Sequence, residues 1–159
     1  MHAPYPLDFG AMSEAARCFE GEHDFTSFAA SSGSEDDDRD RNVMRSIYAS
    51  EFRPASEVQS EVRGEAQRGA SALFAPVTAD CGEEWVYIVR GKSFLRHMVR
   101  KIAGTLLEIG RGRLSVADVQ RIMELRDRGA SGPTLPACGL CLVSVEYPDP
   151  TASIPRKTA

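Results

Sequence analysis

Seven basic residues, Arg90, Lys92, Arg96, Arg100, Lys101, Arg111 and Arg113, crowd a stretch in which Glu108 is the only acid. Cations at that density can dock a phosphate backbone. Arg96, Arg100, Gly104 and Arg111 share one helical face, with His97 and Glu108 alongside. A mid-helix Gly costs about 1 kcal/mol relative to Ala. Gly104, one turn beyond Arg100, therefore implies that something packs close to the backbone there. The plainer reading is a core helix with a solvated basic face. His23 and Asp24 offer acid–base chemistry, but Asp24 is better placed to satisfy loop N–H groups while Phe25 and Phe28 anchor in the core. Cys138 and Cys141 form a C-x-x-C. A structural zinc site needs about two more ligands nearby, and neither the remaining cysteines nor the histidines supply a second pair. The expectation is two small buried side chains, with no metal and no cofactor.

The elements that position these residues follow from periodicity. Phe94, Leu95, Met98, Val99, Ile102, Leu106 and Ile109 form the apolar stripe of the central helix, with Ser93 as its N-cap and Gly110 and Gly112 at its end. Asp8 caps an earlier helix with Met12, Ala15, Ala16 and Phe19 inward, closed by Gly21. Val43 to Arg53 has strand character up to Pro54. Trp85 to Val89 is a near-continuous apolar run, expected to be a central strand buried on both faces. Ser115 and Asp118 open a third helix with Val119, Ile122 and Met123 inward, closed by Gly129, and Leu140 to Tyr147 reads as a last strand. This order predicts an α+β fold, a mostly antiparallel sheet with helices on one face. A domain over 1–148 would carry an acidic loop at 31–41 and a hairpin insertion at 55–72, with 149–159 as a tail.

The chain has 159 residues and a formal net charge of −4, which argues weakly against a nucleic-acid partner. The acids are uneven, however: Glu35, Asp36, Asp37, Asp38 and Asp40 share one loop, and local field governs docking. No apolar run is long enough to span a bilayer and no signal segment opens the chain, so a cytoplasmic location is expected.

The stretch FLRHMVRKIAGTLLEIGRG, Phe94 to Gly112, resembles the long-helix motif of the TruA-type tRNA pseudouridine synthases. YPLD (Tyr5 to Asp8), GEHDFTSF (Gly21 to Phe28), RNV (Arg41 to Val43) and GLCLVSVEYP (Gly139 to Pro148) match further pieces in order. The resemblance implies the C-terminal half of a pseudouridine synthase fold, in which two α/β halves share a sheet and a cleft. It implies an isomerase that turns uridine into pseudouridine in the anticodon stem-loop of tRNA, without metal or cofactor, as a homodimer. A flipped uridine would enter the cleft. By motif match Arg100 is the arginine beside the nucleophilic aspartate, and Leu140 is the apolar residue that packs on the uracil. Arg41, Lys92, Arg96, His97 and Lys101 are the expected RNA contacts. The family's aspartate lies in an R-T-D segment, and no such segment occurs in this chain. The expectations are that the chain alone is inactive and self-associates through an exposed apolar edge. Arg100, lacking its aspartate, would then be held by carbonyls, Glu108, water or an anion. The alternative is a non-catalytic module for RNA binding or self-association.

Overall fold

The computed structural model describes residues 5–30, 42–58 and 84–147. Helix α1 spans Phe9–Arg17, and the Asp8 carboxylate accepts from Ala11 N at 2.9 Å as its N-cap. The helix stops at Arg17, earlier than expected. Gly21, at φ +102°, does not cap it but opens a short strand, β1 (Gly21–Asp24), that the sequence did not suggest. A tight turn at Thr26–Phe28 comes next. Strands β2 (Met44–Pro54) and β3 (Trp85–Gly91) complete an antiparallel sheet of order β1-β2-β3. The register runs from Gly21↔Ile47 to Asp24↔Met44 on one side and from Ile47↔Gly91 to Pro54↔Trp85 on the other. An irregularity between Ile47 and Ala49 leaves Tyr48 unopposed and exposed.

Two expectations about strands are corrected. Among the described residues, strand β3 lies at the sheet edge and its apolar run is only half-buried; β2 is the strand between β1 and β3. Leu140 to Tyr147 has strand composition, but it pairs with no strand among the described residues. Leu140, Leu142, Val143, Val145 and Tyr147 are all exposed.

Helix α1 packs on β2, and helices α2 (Met98–Gly110) and α3 (Val116–Leu125) pack against α1 and the turn at Thr26–Phe28, which gives the expected α+β layer. In α2, Met98, Ile102, Leu106 and Ile109 are buried as the stripe required, whereas Phe94 is exposed. Helix α2 begins at Met98, not after Ser93. The intervening residues reverse the chain out of β3: Met98 N bonds Leu95 O at 3.1 Å, and His97 adopts φ +64°. That turn keeps Leu95 buried beside Met98, so the apolar spacing mimics an extra helical turn.

Phe19, Phe25 and Phe28 meet these residues in one core with Met12, Ile47, Val119 and Ile122. Each fully buried side chain of this size contributes roughly 1.5–3 kcal/mol. The capping box of α3 is present: Asp118 accepts from Ser115 N and Oγ, each at 2.8 Å. Its end is set by Arg126 at φ +51°, not by Gly129. The described part of the hairpin segment, 55–58, is a helical turn; the acidic loop at 31–41, the rest of 55–72 and the tail lie outside the described residues.

Candidate functional site: the first turn of helix α2

The left-handed residue His97 turns the chain so that Arg96, His97 and Arg100 gather at the start of α2. The Arg96 carbonyl accepts from Ala30 N at 3.0 Å, which ties this turn to the aromatic core, and the Arg96 and Lys92 side chains are exposed. The His97 imidazole is held below the usual histidine range, first by desolvation and then by the charges of Arg100, Arg96 and Lys101.

Arg100 is half-buried beneath the segment that succeeds α3. Its Nε donates to the Leu135 carbonyl, and Leu135 N donates back to the Arg100 carbonyl at 3.3 Å. A Cβ on Gly104 would overlap the Pro133 carbonyl oxygen, so the close approach expected beside Arg100 is backbone on backbone. A Cβ on Gly132 would stand 2.6 Å from Thr105 N, and Gly132 N donates to Thr105 Oγ1 at 2.9 Å. Among the described residues no carboxylate pairs with Arg100, and its terminal nitrogens have no hydrogen-bond partner. A carbonyl holds it, and Glu108 does not.

Lys101 turns the other way. Its ammonium donates to Arg128 O at 2.7 Å, Ser131 Oγ at 3.0 Å and Ser27 O at 3.3 Å. Desolvation chiefly lowers its pKa, with Arg128 adding to this and Asp127 opposing it. Ser131 Oγ donates to Ser27 O at 2.8 Å, so this lysine staples the segment after α3 to the turn at Thr26–Phe28.

At the far end of α2, Arg111 lies 4.3 Å over the Tyr5 ring, and Glu108 takes both Arg111 at 3.0 Å and Arg113 at 3.2 Å. A groove of roughly 660 Å³ lined by Leu7, Ile109, Leu114 and Val116 opens at that end. It lies about 15 Å along the helix from Arg100, at 1.5 Å per residue.

Leu140 comes after the turn at Ala137–Gly139 and is half exposed, and Arg41 lies outside the described residues. Asp24 has the structural role expected: Oδ1 accepts from Thr26 N at 2.9 Å, and Oδ2 pairs with Arg126 Nε at 3.0 Å. His23 Nε2 donates to the Glu20 carbonyl at 2.7 Å, and among the described residues Asp24 is bonded to Thr26 and Arg126, not to His23. Cys138 and Cys141 are exposed rather than buried, because their side chains find no cover among the described residues. No group of three metal-ligating side chains occurs among the described residues. Sequence reasoning missed the Leu135 carbonyl and the Tyr5–Arg111 stack. Gly132 was the available signal for the first.

The site is thus an arginine, held at Nε by a backbone carbonyl, at the start of a helix beside a basic turn in an α+β layer, and comparison with known proteins gives the class. The tRNA pseudouridine synthase family model matches residues 15–148, and the chain belongs to that family. It is 42% identical over 146 residues to tRNA pseudouridine synthase A of Solibacter usitatus, covering 92% of this chain and 46% of that protein. It is 36% identical over 144 residues to the proteins of that name from Ralstonia nicotianae and Pseudothermotoga lettingae, covering 90% and 91% of this chain and 41% and 46% of theirs. The chain thus spans less than half the length of these relatives. No helix among the described residues is long and apolar enough to cross a membrane.

Proposed function

We propose that this chain forms one wall of the cleft of a tRNA pseudouridine synthase acting on the anticodon stem-loop. The observation that carries the reading is Arg100: held at Nε, it presents terminal nitrogens that no carboxylate among the described residues takes up. An aspartate in a dry cleft is pushed towards its neutral form by desolvation, and a bidentate arginine opposes this and fixes its orientation. Arg100 has that role here. The aspartate, which attacks as the nucleophile in covalent catalysis, comes from a segment bearing R-T-D, which these residues do not contain. Leu140 packs on the uracil. Arg96, His97 and Lys92, with Arg41, contact RNA phosphates, while Lys101 acts through the backbone it staples. Neither metal nor cofactor enters, and the setting is cytoplasmic.

Incubated with unmodified tRNA, the chain forms no pseudouridine; joined to a family segment carrying R-T-D, it does. Turnover by the chain alone, or none after joining to a demonstrably folded partner half, contradicts the reading. A second reading, self-association without chemistry, is favoured by the exposed run Leu140, Leu142, Val143, Val145 and Tyr147. Light scattering at high concentration then reads a dimer, and a clean monomer removes that reading.

A further inference from the structure

We infer that residues 128–136 form a strap whose task is to aim Arg100, with Gly104, Thr105, Gly132 and the Leu135 carbonyl as the positioning groups. The inference rests on the proposed role of Arg100 but concerns how its side chain is held. A guanidinium has five N–H donors in one plane. The Leu135 carbonyl takes the donor at Nε. The plane is then fixed, and the N–H groups of the two terminal nitrogens are left as a fork suited to a planar carboxylate.

A carbonyl can fix a side chain only if it is itself fixed. Leu135 N donates to the Arg100 carbonyl at 3.3 Å, so the strap bonds the same residue twice. Two residues upstream, the Pro133 carbonyl rests on Gly104 where no Cβ would fit. Gly132 lies against the backbone of Thr105 and donates to its hydroxyl at 2.9 Å. That hydroxyl also donates to the Lys101 carbonyl at 2.9 Å, which orients its lone pair towards Gly132. At the strap's start, the Lys101 ammonium takes the Arg128 carbonyl at 2.7 Å. Contact at so many points would be excessive for a loop that only connects α3 to the turn at Ala137–Gly139. It suits a part that must hold one oxygen in place over Arg100.

The test is the Nε–H signal of Arg100, assigned by its loss in Arg100→Lys, in nitrogen-15 spectra of the chain. In the unaltered chain this proton is expected to exchange slowly with solvent, because the Leu135 carbonyl holds it. Gly104→Ala removes the seat of Pro133 while improving helix propensity, and Thr105→Val removes the Gly132 hydrogen bond at nearly constant shape. Each is expected to speed Arg100 Nε–H exchange at least tenfold with the far-ultraviolet dichroism unchanged. Thr105→Ser, which keeps the hydroxyl, restores slow exchange. If Gly104→Ala does not fold, the Thr105 pair decides. Exchange that stays slow in Thr105→Val, or is as fast in Thr105→Ser as in Thr105→Val, overturns the inference. The readout needs no tRNA and no turnover, so it stands or falls separately from the catalytic reading.

Discussion

At the C-terminal end of α2, Glu108 takes both Arg111 and Arg113, and Tyr5 covers Arg111. At the N-terminal end, Arg96, His97 and Arg100 stand together, and among the described residues no carboxylate reaches Arg100. Both clusters are built on arginines, at opposite ends of one helix. In the first cluster both arginines are engaged within the fold by one carboxylate, and Arg111 also stacks on Tyr5 in the chain entering α1. In the other, Arg100 is held by a backbone carbonyl. A cation that the fold has already paired contributes to stability, whereas one held by a neutral carbonyl keeps its charge for a ligand.

Glycines sharpen the contrast. Gly104 faces a backbone carbonyl that cannot swing aside, while Gly110 faces the Met12 sulphur, which an added Cβ would overlap. Gly104→Ala is expected to cost about 2 kcal/mol, within the overpacking range of about 1–3 kcal/mol. Gly110→Ala is expected to cost about 1 kcal/mol, because a methionine adapts more readily than a backbone. Urea unfolding midpoints at constant slope rank the two, and the reverse order would mean that the strap yields more easily than Met12.

Charge comes next. Glu108→Gln should lower stability by about 0.5–1 kcal/mol, since Arg113 is well exposed and solvent screens its pair. The loss should shrink in high salt. A larger, salt-insensitive loss would show that Glu108 works by packing.

The smallest effect concerns pH. His97 is held below the ordinary value of about 6.5 by desolvation and then by its three cationic neighbours. As pH falls, the unfolded chain takes this proton first, so His97 removes stability between its unfolded and its lower folded value and has no effect above both. His97→Asn, which tolerates the left-handed backbone, should lose less stability than the original between pH 7 and pH 5. Equal losses would show that His97 does not feel Arg100, Arg96 and Lys101.

The layer and the core were legible because apolar spacing records burial directly, whereas the single basic face was not: Arg96 precedes α2 and Arg111 caps its end on Glu108. Met12, Ala15, Ala16, Ile102, Leu106, Val119 and Ile122 all read correctly. The Asp8 cap and the Ser115–Asp118 box also read correctly, being local chemistry. Boundaries set by unusual backbone did not. His97 and Arg126 occupy the left-handed region without being glycine, so the start of α2 and the end of α3 carried no signal. Strand β1 was hidden because Gly21–Asp24 borrows its stability from β2 and has no apolar alternation. The Leu140 to Tyr147 pattern announces a strand, but a strand needs a neighbour, and none of the described residues supplies one. In the candidate site Arg100 and Gly104 were visible as a pair, whereas the Leu135 carbonyl was not, because a backbone oxygen leaves no trace in residue type.

The difference between Arg100 and Arg111 is tested most directly by single-turnover rates in a complete synthase carrying this chain. Arg100→Ala is predicted to leave the fold and tRNA affinity nearly intact and to slow pseudouridine formation by about 10²–10³-fold, the scale of one lost electrostatic contact at a reacting centre. Arg100→Lys recovers little, since a point charge does not reproduce the planar fork. Arg111→Ala is predicted to lower stability and leave the rate within about threefold, because solvent-screened pairs of its kind contribute about 1 kcal/mol or less. An Arg100→Ala variant that binds tRNA poorly but turns over at the original rate would make Arg100 a phosphate contact and contradict the assignment.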